Sequence, residues 1–147
     1  MKKISVFCVS LLAMGLAQQM LFAQAASSTR DGVYSAEQQQ RGKTSYGTLC
    51  ASCHGDDLGG SGPTPALSGD DFIGNWSGQT VADLFNKIQT TMPATKPGSL
   101  TREQTADLVA YILSANKFPA GKSDLPTDAD SLKKIQFEKP QPDAQKP

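Results

Sequence analysis

Cysteine, histidine and methionine are scarce in this chain of 147 residues, and their spacing is the first chemistry it offers. Cys50-Ala51-Ser52-Cys53-His54 sets two thiols three residues apart and an imidazole directly after the second; His54 is the only histidine present. C-x-x-C-H is the attachment sequence for c-type haem. Two thiols at that separation reach the two vinyl groups of one porphyrin as thioethers, and the adjoining imidazole then lies beneath the iron as its proximal ligand. Other uses of such a cluster fit less well. A structural disulfide between Cys50 and Cys53 suits an oxidising compartment but leaves His54 without a task. Structural zinc takes four ligands, and beyond residue 25 the chain offers two Cys and one His. A thioredoxin-like pair expects a βαβ context, and no strand alternation is visible here.

The second axial ligand is approached by elimination. A single His rules out bis-His ligation within one chain. Met92 is the one methionine beyond residue 25, and it stands immediately before Pro93. A residue preceding proline is pushed out of the helical region, so Met92 offers its thioether from a loop rather than from a packing face. Lys96 and an open sixth position are the alternatives. The metal ligands expected from the residues are thus His54 and Met92.

Residues 1–25 read as an address. Met1-Lys2-Lys3 precedes a mostly apolar run to Phe22, and Ala23-Gln24-Ala25 supplies the small-x-small pattern of a signal-peptide cleavage site. Gln18 and Gln19 leave the unbroken apolar run shorter than the roughly 20 residues of a membrane anchor, and Cys8 lacks the context of a lipidation site. The expected product is exported, soluble and periplasmic. Its loss of Lys2 and Lys3, with no acid, turns 14 basic against 14 acidic side chains into 12 against 14, a formal charge of −2. There is no basic footprint for a phosphate backbone, so nucleic acid is not an expected partner. Hydrolytic chemistry has no carboxylate dyad or nucleophile–base pair behind it, and Gly59-Gly60-x-Gly62 lacks the Lys-Ser/Thr of a phosphate loop.

Three helices are expected to position the motif. Ser35 with Gln38 is a capping-box signature opening a helix from about Ala36 to Leu49, with Gly42 and Tyr46 on one face. Thr80 with Asp83 opens a second, whose Val81, Leu84, Phe85 and Ile88 follow the i, i+3, i+4, i+7 pattern of a buried stripe; it ends near Thr91. Thr101 with Gln104 opens a third, with Leu108, Tyr111, Ile112 and Ala115 as its apolar face and Asn116 as a left-handed stop. Gly55 to Gly69 is a long glycine-rich loop of the kind found wrapped on something, and Pro93 to Ser99 is another loop. With 13 Gly, 9 Pro and 7% aromatics, the side chains make a small core that a bound macrocycle would complete. One domain is expected at this length.

These pieces together resemble the monohaem class I c-type cytochromes of bacteria. The resemblance covers about Glu37 to Phe118. It rests on Gly42-x-x-x-Tyr46, Cys53-His54-Gly55, Pro65-Ala66-Leu67-x-Gly69, Thr91-Met92-Pro93, Pro97-Gly98-x-Leu100 and Asp107-x-x-Ala110-Tyr111-Ile112-Leu113. It implies a mostly α, cytochrome c-like fold of three main helices and long loops around one covalently attached haem c and its iron. It further implies that the first and last helices cross at Gly42 against Tyr111 or its neighbours, and that the Pro65 carbonyl accepts the His54 Nδ1–H. Leu67 and Leu100 would line the haem, and Trp76 would sit near a propionate. The residues from Asn116 to Gly121 look like the end of cytochromes that serve periplasmic quinoprotein dehydrogenases.

The expected organisation is a signal peptide over 1–25, a flexible lead over 26–34, a cytochrome c domain over 35–120, and a polar, Pro-containing tail over 121–147 in which Leu132, Ile135 and Phe137 dock as a patch. The expected function is one-electron transfer rather than enzymatic catalysis, with redox proteins as partners: a periplasmic dehydrogenase as donor, an oxidase or another cytochrome as acceptor, and membrane contact only through them. A haem c subunit of a dehydrogenase complex, docked by its tail, is the alternative; a haem peroxidase or gas sensor would need the sixth position open.

Overall fold

The structure, a computed structural model, describes residues 27–141. The expected signal peptide and residues 142–147 of the expected tail lie outside these. No helix among the described residues is long and apolar enough to cross a membrane.

The three main helices form where their caps and stripes place them. Helix α1 spans Ala36–Leu49, and the Ser35 hydroxyl accepts the Gln38 N–H at 3.0 Å. Gln38 does not return that bond as a capping box would. Its buried side-chain amide instead donates to the Leu125 carbonyl at 3.2 Å and accepts the Leu125 N–H at 2.6 Å, because the later chain brings an otherwise unpartnered peptide against it. A one-turn helix, α2, covers Ala51–His54, and α3 covers Asp70–Trp76. Helix α4, Val81–Thr91, opens on a reciprocal box between Thr80 and Asp83, and buries Val81, Leu84 and Phe85. Met92 then turns extended, with φ −120° and ψ 153°, as a residue before proline must.

Helix α5, Arg102–Ala115, opens on the Thr101–Gln104 box. Its end corrects the sequence reading: Asn116 keeps φ −88°, and the left-handed residue is Lys117, with φ 65°. Phe118 N–H closes on Leu113 O at 3.1 Å and Lys117 N–H on Ser114 O at 2.9 Å, the paired bonds of a Schellman end. Helices α1 and α5 cross at Gly42, packed on Asp107 and Tyr111, as the resemblance implied.

The segment 26–34 is not a flexible lead over its described residues. Ser27–Ser28 (β1) pairs in parallel with Ile135–Gln136 (β2). Thr29 and Tyr34 are buried, and the Tyr34 hydroxyl donates to the Phe118 carbonyl at 2.6 Å. The packed unit also runs well past residue 120. A short helix, α6 (Ala129–Lys133), leads into β2, and Leu125, Leu132, Ile135 and Phe137 are all buried. Backbone pairing holds this stretch: Gly78 N–H donates to Phe137 O and Phe137 N–H to Gln79 O, both at 2.9 Å. The Phe137 ring meets Phe118 at 5.4 Å and Phe72 at 6.1 Å, edge-on in both cases. Two chain ends that looked polar in sequence are tied together because each supplies the other's hydrogen-bond partners.

Candidate functional site

Helix α1 delivers the chemistry. It ends at Cys50, and one further turn carries Cys53 and His54 into the molecule, so His54 is buried while Cys53 stays exposed. No disulfide joins the two cysteines, and before any attachment burial, with the neighbouring Cys53, pushes the Cys50 thiol up to about 11. The glycine-rich loop folds back over this turn. Gly60 N–H donates to His54 O at 2.8 Å, and Leu67 N–H to Leu58 O at 2.7 Å. Gly60 sits at φ 75° with the backbone of Thr64, Pro65 and Ala66 so close that a side chain would not fit.

His54 Nδ1 lies 3.0 Å from the Pro65 carbonyl oxygen. A carbonyl has no hydrogen to give, so Nδ1 carries the proton and donates, and Nε2 keeps its lone pair. That is the arrangement in which an imidazole serves as a metal ligand with its orientation fixed from behind.

A cavity of about 530 Å³ opens beside the motif, within the roughly 300–1,000 Å³ usual for cofactor sites. Cys50, Cys53 and His54 line it, with Pro65 and Leu67 from the loop, Trp76 from α3, Met92 from the turn after α4, and Leu100 ahead of α5. All eight residues singled out from the sequence therefore face one space. Lys96 is exposed and does not line it. Trp76 is half-buried on the Phe72 ring, 6.2 Å between centroids. The phenol of Tyr46 also lines the cavity and donates to Gly55 O at 2.6 Å; burial pushes it up to about 12.

Sequence reasoning missed the rest of the wall. Leu84, Ile88, Leu108 and Ile112 had been assigned to the core face of their helices, and that same face is the cavity wall. Helix α3 was missed altogether, although Asp70 and Asp71 in its first turn and Phe72, Ile73 and Trp76 on one side were a readable signal. Asn116 was read only as a stop. It is buried, and its side chain accepts the Gly69 N–H at 3.0 Å and donates to Leu67 O and Ile112 O at 2.9 and 2.8 Å.

The donor set suits a large flat cofactor held by two thioethers and poorly suits a bare ion. No group of three or more His, Cys, Asp or Glu side chains among the described residues is gathered to hold a metal. A family model described as cytochrome C oxidase, cbb3-type, subunit III matches residues 37–112, just over half of the chain. The chain belongs to this family of c-type cytochromes. Its cofactor is accordingly covalently bound haem c with its iron, and this cytochrome is an electron-transfer haem protein. No curated protein matches the chain. Among solved structures, the crystal structure of the sulfane dehydrogenase SoxCD from Paracoccus pantotrophus is similar to this cytochrome, with a TM-score of 0.50 and 18% identity over 84% of its length. The cytochrome spans 63% of that chain, and the likeness is one of fold.

Proposed function

We propose that this cytochrome is a periplasmic one-electron carrier in which Cys50 and Cys53 anchor the haem and His54 and Met92 ligate its iron. The observation that carries the reading is that His54, Met92 and both thiols line one cavity, while Lys96, the other candidate ligand, lies outside it. Bound there, the haem supplies one-electron exchange between ferric and ferrous iron. The chain's own residues do the rest. The Pro65 carbonyl holds the proton on His54 Nδ1 and so directs the Nε2 lone pair to the metal. Pro93 keeps Met92 out of helix. Leu67, Leu84, Leu100, Leu108 and Ile112 line the cavity and would keep water from the metal, where a thioether ligand in an apolar pocket would raise the potential. Were His54 and Met92 both to hold the iron, no position on it would be left for a substrate.

Periplasmic location rests on the sequence of residues 1–25. A periplasmic dehydrogenase as donor and an oxidase or further cytochrome as acceptor suit a protein of this type, met through a small transient interface. A haem c subunit of a dehydrogenase complex, with the Pro-containing tail as its docking element, is the alternative; Leu125, Leu132, Ile135 and Phe137 are buried in their own domain.

The test is spectroscopic. Ferric holoprotein is expected to show the weak far-red thioether–iron band, and Met92→Ala to lose it; an unchanged band removes Met92 as ligand. Gel filtration of the exported native protein separates carrier from subunit: a monomer supports the carrier, and a stoichiometric complex with a dehydrogenase supports the subunit.

A further inference from the structure

One buried side chain reaches from the end of α5 onto the loop that supplies the His54 acceptor. Asn116, 5% exposed at the end of α5, spends its whole amide on backbone: Oδ1 takes the Gly69 N–H, and Nδ2 gives one hydrogen to Leu67 O and one to Ile112 O. Leu67 is thereby fixed at both of its peptide groups, its N–H on Leu58 O and its C=O on Asn116. Gly69 is the residue from which α3 starts. Two residues before Leu67 lies Pro65, whose carbonyl orients His54. His54 itself donates to this stretch at Pro65 O, and Asn116 holds it two and four residues further on, at Leu67 and Gly69.

From this chain of contacts we infer that Asn116 is a positioning residue for the proximal iron ligand, holding Leu67 so that the Pro65 carbonyl stays on the His54 Nδ1–H. Its hydrogen bonds go to Gly69, Leu67 and Ile112, and it does not line the cavity. The consequence is electronic as well as steric. A well-aligned acceptor makes imidazole a stronger donor to the metal, which favours ferric over ferrous iron. Releasing Asn116 lets Pro65 drift, weakens the Nδ1–H bond, and raises the potential. The inference rests on the reading of His54 as iron ligand.

The experiment uses holoprotein of verified haem content, with Asn116→Ala and Asn116→Asp beside Val109→Ala. Asn116→Asp keeps an oxygen for Gly69 but cannot donate to Leu67. Val109 is fully buried on the same helix and serves as a purely structural control. In reduced protein, hydrogen exchange of His54 Nδ1–H is followed by NMR relative to the backbone amides at the α1–α5 crossing. Both Asn116 variants are expected to speed it about tenfold relative to those amides, the effect of losing one buried hydrogen bond, and to raise the midpoint potential. Val109→Ala is expected to do neither. A His54 proton that only keeps pace with the crossing amides, or an unchanged potential, overturns the inference. Should Asn116→Ala not fold, Asn116→Ser, which keeps one donor, is read in the same way with a smaller effect. Wild-type protein that carries haem without His54 on the iron overturns the ligand reading instead, and the NMR of the unsubstituted protein shows that first.

Discussion

Gly42 of α1 lies so close to Asp107 of α5 that a Cβ on the glycine would stand 1.8 Å from the Asp107 carbonyl oxygen. The nearest side-chain atom, Tyr111 Cβ, would be 2.9 Å away. Backbone, not a flexible side chain, fills the space, so the helices themselves must separate to admit even a methyl. Gly42→Ala is therefore expected to destabilise although alanine is the better helix former by about 1 kcal/mol. Overpacking commonly costs about 1–3 kcal/mol, and contact with backbone puts this site at the upper end. The urea midpoint of the holoprotein measures it; a rise in the midpoint would mean that the helices are free to part.

How far such features were readable in the sequence depended on whether their signal was local. Gly42 was legible because an unexplained glycine in a helix needs a reason, and the caps at Thr80 and Thr101 were legible because a capping box is four residues long. The motif, its proximal acceptor Pro65 and the loop-borne Met92 were legible for the same reason, or through resemblance. What failed was non-local. Gln38 looked like half of a box, and the Leu125 peptide, 87 residues on, claims its amide. Thr29 and Tyr34 look like a loose lead because their partners, Glu138 and Phe118, are 109 and 84 residues away. Leu125, Leu132, Ile135 and Phe137 sit among prolines and charges with neither helical nor strand period, so only the fold reveals that they share one core.

The strap that contains them has a measurable part in the fold. Phe137 is fully buried between Phe118 and Phe72, and Phe72 in turn carries Trp76. Phe137→Ala is expected to cost about 3–5 kcal/mol, the range for a buried aromatic. Because the loss opens onto the α3 wall, emission of Trp76, the single tryptophan, should shift to the red in protein that remains folded. An unaltered Trp76 would mean that the strap packs without supporting the site.

Arg41 joins three segments by charge. Its guanidinium makes a two-point contact to Asp107 at 3.0 Å each and reaches Asp124 at 2.6 Å, and Asp124 also accepts from the Ser35 hydroxyl. The Ser35 bond first, then Arg41, hold the Asp124 carboxyl below its usual value. A carboxylate depressed in the folded state adds stability that is complete above its unfolded value of about 3.9. That stability is lost as pH falls through the lower, folded value. Arg41 and Asp124 are half exposed, so solvent screening keeps the contribution near the 0.2–1 kcal/mol of surface pairs. Asp124→Asn should accordingly lower stability slightly at pH 7 and leave it unchanged at pH 2, seen as a shallower acid limb in thermal melts; equal losses at both pH values would point to packing rather than charge.

The exposed residues around the cavity carry few charges. Leu49, Ser52, Cys53, Pro63, Pro65, Asn75, Gln79, Ala94 and Thr95 are exposed there, and Lys87 is the one charged side chain among the cavity's lining residues. Leu49, at 37% exposure, is also the one large hydrophobic side chain that stands out to solvent among the described residues. Steering by a ring of like charge would make partner association fall steeply with ionic strength, and the Debye length shrinks from about 10 Å at 0.1 M to 3 Å at 1 M. A rim of this composition gives salt little to screen. Electron exchange with a redox partner, followed by stopped flow, is expected to change by less than about threefold between low and high salt. Leu49→Glu should slow it more than Lys87→Gln does, since the first puts a charge where an apolar contact is made and the second removes a charge that contributes little. A steep salt dependence that Lys87→Gln abolishes would instead put electrostatic steering, through that one lysine, in control of the encounter.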